Sequence, residues 1–163
     1  MKHFLISFLS LAFTTGLAMG NDLSGKVINV IDGNTLQVLG TDGQTYNLML
    51  AGVDCPELKQ AYGKEAKVCL EKLTLGKQVY VRIVGKDRLD NSLAEVLVDG
   101  KKDPRIQLLR DGLAWTSEKD PNAILEAYRT SSQSKRKGIW KDEKPTPPWV
   151  FRREQSMLEA KSS

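Results

Sequence analysis

KVINVIDGNTLQVLGTDGQTYNLMLAGVDCPE (residues 26–57) is the stretch whose reading decides the fold. β-Branched residues crowd positions 26–31, and the pattern resumes at 35–39 after Asp32-Gly33-Asn34, where the glycine marks a tight turn. Thr41-Asp42-Gly43 marks a second turn, and residues 46–50 read as a third strand. That strand opens through Ala51-Gly52 into Val53-Asp54-Cys55-Pro56-Glu57, which sets two carboxylates and a thiol within four residues. Such a carboxylate pair can hold a divalent cation and activate water. The same residues can instead make turn and helix-cap hydrogen bonds on the approach to Gly63.

Beyond this segment the period changes. Ala66, Cys69, Leu70 and Leu73 recur at three and four residues, which makes 63–73 an amphipathic helix with Cys69 on its inner face. Residues 78–84 alternate as a strand, with Val79, Val81 and Ile83 on one side and Tyr80 and Arg82 on the other. Residues 93–98 form another strand, 106–110 a short helix, and 122–137 a longer one ended by Gly138. Residues 144–149 read as an extended tail, docked by Trp140 and Trp149. Five short strands with a helix after the third fit a small closed barrel of the OB type, an α+β arrangement. An open α+β sandwich reads almost the same.

The first twenty residues stand apart. Lys2 and His3 precede an apolar run at 4–13, with small residues at Ala18 and Gly20, the pattern of a secretory signal cleaved after Gly20. The run is short for a membrane span, so no stable membrane insertion is expected. The expected organisation is a signal at 1–20, one domain at 21–153 and a flexible tail at 154–163, exported as a monomer to the periplasm or the medium.

The chain carries 24 basic and 20 acidic side chains, a formal charge of +4. Residues 129–153 hold Arg129, Lys135, Arg136, Lys137, Lys141, Lys144, Arg152 and Arg153 against two acidic residues. Such a face attracts nucleic acid or another polyanion, or is an ordinary solvated surface. Cys55 and Cys69 both fall in the exported part. A disulfide there closes a loop of about 15 residues and contributes on the order of 3 kcal/mol. Two free buried thiols are the alternative, while two cysteines without a histidine are too few ligands for zinc.

A resemblance is carried by Val30-Ile31-Asp32-Gly33-Asn34-Thr35, Leu50-Ala51-Gly52-Val53-Asp54-Cys55-Pro56-Glu57, and Tyr62-Gly63-Lys64-Glu65-Ala66. Lys86-Asp87-Arg88, Leu93-Ala94-Glu95-Val96, residues 108–115 and Arg136-Lys137-Gly138-Ile139-Trp140 extend it. Pro148-Trp149 with Arg152-Arg153 resembles the tail of many bacterial members. Together these resemble the thermonuclease (staphylococcal nuclease-like) family from about residue 26 to 153. The resemblance implies an OB-type barrel and a calcium-dependent phosphodiesterase acting on DNA and RNA. In that family two aspartates hold the metal, a glutamate orients or activates water, and two arginines grip the phosphate.

Matched residue by residue, Asp54 stands at the second metal aspartate, Glu57 at the glutamate, and Arg88 at a lysine near the phosphates. The other positions depart. Asn34 stands where the first metal aspartate belongs and still offers a carbonyl oxygen to Ca²⁺ or another divalent cation, but no charge. Met49 stands in place of the first arginine and Asn91 in place of the second. The resemblance therefore implies a nuclease scaffold with half of its active site. The expected function is weak or absent catalysis with binding of DNA, RNA or another polyanion. An active endonuclease using Asp54 and Glu57 is the second reading, and an envelope protein-interaction module the third.

Overall fold

The computed structural model describes residues 22–117 and 122–162. The expected signal segment lies outside them. Five strands close into a barrel: β1 (Asp22–Val30), β2 (Thr35–Gly40), β3 (Thr45–Leu50), β5 (Gln78–Lys86) and β6 (Ser92–Val98), in the order β1-β2-β3-β6-β5. Closure excludes the open sandwich. β3 and β6 run parallel, and the other pairs are antiparallel.

Alternation in the sequence becomes the inside and outside of the barrel. Val27, Val30, Leu36, Val38, Leu48, Leu50, Val81, Ala94, Val96 and Val98 are almost fully buried. Tyr80, next to Val81, is exposed. β1 serves both neighbours, pairing β5 through Asp22–Lys26 and β2 through Gly25–Val30. A register shift between Val27 and Asn29 lets it turn the barrel corner.

Helix α1 (Gly63–Thr74) precedes β5 and buries Ala66 and Leu70 against the barrel. Helix α2 (Pro104–Arg110) starts on the Asp103 cap and buries Leu108 and Leu109. Helix α3 (Ala123–Ser134) is capped by Asn122, whose side chain accepts from the Ile124 and Leu125 amides. It ends before Gly138, which instead opens a 3₁₀ turn (Gly138–Lys141). A two-residue pair joins β4 (Val53–Asp54) to β7 (Trp115–Thr116), tying the carboxylate segment to the chain that follows α2.

The extended reading of residues 144–149 gives way at its end to a helix that starts on the last proline. Helix α4 runs over Pro148–Ser162. Pro148 is pre-set for a first helical position, and no glycine or proline interrupts residues 149–162. Trp149 meets Trp115 edge-on at 5.6 Å, and Trp115 meets Trp140 at 4.5 Å. The indole N–H groups of Trp115 and Trp140 are buried without an acceptor among the described residues, so the cluster is held by packing. No helix of the described residues is long and apolar enough to cross a membrane.

Candidate active site

Two irregular segments meet at one end of the barrel. In the turn after β1, Asp32 accepts from the Asn34 amide at 2.9 Å, a side-chain-closed turn. The Asn34 carbonyl takes the Leu50 amide at 2.8 Å, and its side-chain oxygen takes the Cys55 amide at 3.4 Å. Asn34 is 6% exposed and works as a brace between the segments. Gly33 must be small: a Cβ there would stand 2.6 Å from the Cys55 Cβ and 2.8 Å from the Ala66 Cβ.

The carboxylate segment is held from behind by Arg105, a residue with no signal in the sequence pattern. Its guanidinium is buried, pairs with Asp103 at 2.7 Å, and donates to the Ala51 carbonyl at 2.8 Å. That anchors the bend in which Gly52 takes φ +76. From the front, Gln60 accepts from the Glu57 amide at 3.2 Å and donates from its own amide to the Glu57 carbonyl at 2.8 Å. The start of α1 then presses on the same carbonyl, since an ideal Cβ on Gly63 would lie 1.9 Å from it.

Asn34, Met49, Asp54, Glu57, Arg88 and Asn91 all line one open cleft of about 1000 Å³, together with Asp32, Lys86 and Arg152. The structure therefore gathers every residue matched or found departed in sequence. It also shows what the substitutes do. Asn91 donates from its amide and its side chain to Asp87, both at 2.9 Å, and thereby closes its own loop. Those bonds hold the Asp87 carboxyl below the usual range. Lys86 pairs with Asp90 at 2.7 Å across an exposed turn. Arg88 has no ion-pair partner among the described residues. Of the aromatic residues near the fold's surface, Tyr46 is bonded to Asp42, Tyr80 to Asp22, and Trp115 belongs to the tryptophan cluster.

The unforeseen member of the cleft is Arg152, from the first turns of α4. Its Nη1 donates to Asp54 Oδ1 at 3.1 Å and to Glu57 Oε1 at 2.7 Å, and its Nη2 to Asp54 Oδ2 at 2.7 Å. The Asp54 bond, with that of Glu57 behind it and against partial burial, raises the guanidinium above its ordinary value. In sequence Arg152 is one charge in a basic run. The usable signal is Pro148-Trp149 three residues earlier, a helix start with an anchor on the same face as Arg152.

The disulfide expected between Cys55 and Cys69 is not present, and both are free thiols. Cys55 donates instead to the Gly33 carbonyl at 3.2 Å, inside the packed layer between turn and helix. Cys69 is half buried on α1. Burial pushes both thiols up, Cys55 the further, so both stay protonated near neutrality.

The metal expected at Asp54 and Asn34 meets a donor set that does not fit it in this conformation. Among the described residues no three histidine, cysteine, aspartate or glutamate side chains are grouped to hold an ion. Both Asp54 oxygens are engaged by Arg152, and the Asn34 oxygen by the Cys55 amide.

This geometry can be set beside known proteins. Residues 47–142, which include the whole carboxylate segment, match the family model described as staphylococcal nuclease homologue. The chain belongs to the staphylococcal nuclease family. It is 31% identical over 160 residues to a protein of Haemophilus influenzae named uncharacterized endonuclease, covering 96% of this chain and 88% of that one. An Escherichia coli O157:H7 protein of the same name is 30% identical over 132 residues, covering 80% and 86%. A Shigella flexneri protein named micrococcal nuclease is 29% identical over 143 residues, covering 81% and 82%. The five-stranded barrel with its helices is the staphylococcal nuclease-like form of the OB-type α+β fold.

Proposed function

We propose that this staphylococcal nuclease-family protein binds nucleic acid or a similar polyanion and cleaves phosphodiesters weakly or not at all. The observation that carries the reading is the composition of the cleft: Met49 and Asn91 stand where donors to phosphate are needed, and Asp54 and Glu57 are tied to Arg152. Met49 has no hydrogen to donate, and Asn91, a short neutral amide in place of a guanidinium, has one of its two side-chain N–H groups bonded to Asp87. Loss of one positioned transition-state donor costs about 2.7–4 kcal/mol, roughly 10²–10³ in rate. Two such losses amount to about 10⁴ or more where they add. A cationic rim remains. Arg88 and Lys86 lie at the cleft, and Lys135, Arg136, Lys137 and Lys141 are exposed beyond α3.

The pattern at residues 1–20 supports export, so the working protein starts near Asn21 in the periplasm or the medium. It acts as a monomer, and any Ca²⁺ or related ion it uses binds at Asp54 and Asn34 only once Arg152 and the Cys55 amide release their oxygens. A Cys55–Cys69 bridge belongs to this reading only if the oxidised protein proves two hydrogens lighter than the reduced one.

A second reading is an active metal-dependent endonuclease, as the names of the relatives suggest. It is favoured by one observation, that Arg152 restores a guanidinium to a cleft lacking two. One experiment separates them. Purified protein is incubated with DNA and RNA in calcium, magnesium, manganese or chelator, beside Glu57→Ala. Salt-dependent anisotropy of a labelled oligonucleotide is measured in parallel. Salt-sensitive binding with no metal-dependent cleavage supports the first reading. Cleavage that stops on chelation and in Glu57→Ala establishes the second. Neither binding nor cleavage moves the assignment to an envelope interaction module.

A further inference from the structure

We infer that the Arg152 guanidinium is this protein's built-in occupant of the divalent-cation position, so that cation binding at Asp54 and the Arg152 contact exclude one another. The inference rests on Asp54 standing at a metal aspartate of the family, with Glu57 at the neighbouring water-orienting glutamate, and not on whether the chain cleaves. Three contacts make the case. One planar group spans both oxygens of Asp54 and one of Glu57, residues 98 and 95 positions away in sequence. A divalent cation such as calcium binds through the same oxygen lone pairs, at about 2.3–2.6 Å. Guanidinium and ion cannot share them.

The charges of the cleft favour the arginine. Asn34 is neutral with its oxygen engaged by the Cys55 amide. Of the four carboxylates lining the cleft, Asp32 is bonded to the Asn34 amide and Asp87 to Asn91, which leaves Asp54 and Glu57 to the arginine. Calcium sites gain affinity from ligand charge and number, which two carboxylates supply poorly. A forked guanidinium needs only such a pair. The remaining cations of the cleft do not compete, because Lys86 is held by Asp90 and Arg88 reaches neither carboxylate.

Placement depends on α4. Pro148 starts the helix, Trp149 seats against Trp115, and Arg152 comes one turn later on the same face. The arginine is therefore delivered by a separable element. An ion that takes Asp54 must release the Arg152 side chain and so removes one of the contacts that hold α4 to the cleft.

The test is calcium titration of the purified protein by calorimetry and tryptophan fluorescence at about 0.15 M salt, where exposed charges are screened within ~8 Å. Wild type is compared with Arg152→Gln, Arg152→Lys and Arg88→Gln, with circular dichroism confirming each fold. If the occupied state dominates by about ten to one, both Arg152 variants bind calcium about tenfold tighter than wild type. Arg88→Gln, which removes a nearby charge without freeing the carboxylates, shifts affinity less than about twofold. Calcium should also change Trp149 emission in wild type. The inference is overturned if Arg152→Gln binds no tighter than wild type, or if Arg88→Gln matches it. It is also overturned if none of the four proteins binds calcium, an outcome that leaves the proposed oligonucleotide binding to stand or fall by itself.

Discussion

Replacing Gly63 by alanine tests how the fold aims Glu57. The ideal Cβ would lie 1.9 Å from the Glu57 carbonyl oxygen, 2.6 Å from its carbon and 3.0 Å from the Leu58 Cα. All three are backbone atoms, so no side chain can swing away. Real Cβ contacts fall essentially never below 3.0 Å, so the helix start and the Glu57 peptide must separate by at least about 1.1 Å. Overpacking of this kind typically costs about 1–3 kcal/mol. Alanine returns at most about 1 kcal/mol of helix propensity, and less at a helix's first residue. The net expectation is a loss of about 1–3 kcal/mol, near 4 °C of melting temperature per kcal/mol for a domain of this size. Gly85→Ala is the control, because nothing stands within 4 Å of its Cβ position. Thermal melts followed by circular dichroism should show Gly63→Ala lowered by roughly 4–12 °C and Gly85→Ala close to wild type. A Gly63→Ala protein melting within about 1 °C of Gly85→Ala would refute the claim that α1 abuts the Glu57 carbonyl.

Arg105→Met should cost about 3–5 kcal/mol, since it strands Asp103 and the Ala51 carbonyl in a buried setting. A urea midpoint nearly equal to wild type would show that Ala51 and Asp103 are served otherwise. Acid should destabilise the protein through Glu126, held below its ordinary value of 4.5 chiefly by Arg129, and through Glu95, held there chiefly by Arg82. Because the folded values are depressed, this stability is fully present above 4.5 and fades as pH falls through the folded values. Urea melts from pH 7 to 3 should therefore be flat to about pH 5 and fall below it, less steeply in Arg129→Gln. Unchanged steepness in that variant would remove Glu126 from the account. The native protein should leave Cys55 unalkylated by iodoacetamide near neutrality, with Cys69 slow, because both thiols are protonated and Cys55 is buried. Rapid labelling of Cys55, located by peptide mass, would contradict the packing around Gly33.

Much of the scaffold was legible without coordinates. The alternation of 78–84 became the inner and outer faces of β5, and the three-and-four spacing of Ala66 and Leu70 became the buried side of α1. Local periodicity is written by burial, so it survives in sequence. Asp54 and Glu57 were readable for a different reason, being neighbours on a short segment beside recognisable turns. A closed barrel was expected from the strand count and the resemblance, but the pairings that close it, β3 to β6 and β1 to β5, join strands far apart in the chain and have no local signal.

The new roles came from tertiary contacts alone. Asn34 reads as a lost ligand and proves to be a brace to the Cys55 amide; Asn91 reads as a lost arginine and proves to close its loop on Asp87. Cys55 and Cys69 read as partners, yet Cys55 meets the Gly33 carbonyl. The sequence by itself determined the barrel strands, the three helices before residue 138 and which residue types surround the carboxylates. Only the tertiary structure decided what those carboxylates touch. Arg152 lies almost a hundred residues from Asp54, and its reach depends on a proline-started helix and one tryptophan contact. No local pattern encodes a meeting of that range; it arises where the barrel, the tryptophan cluster and α4 pack together.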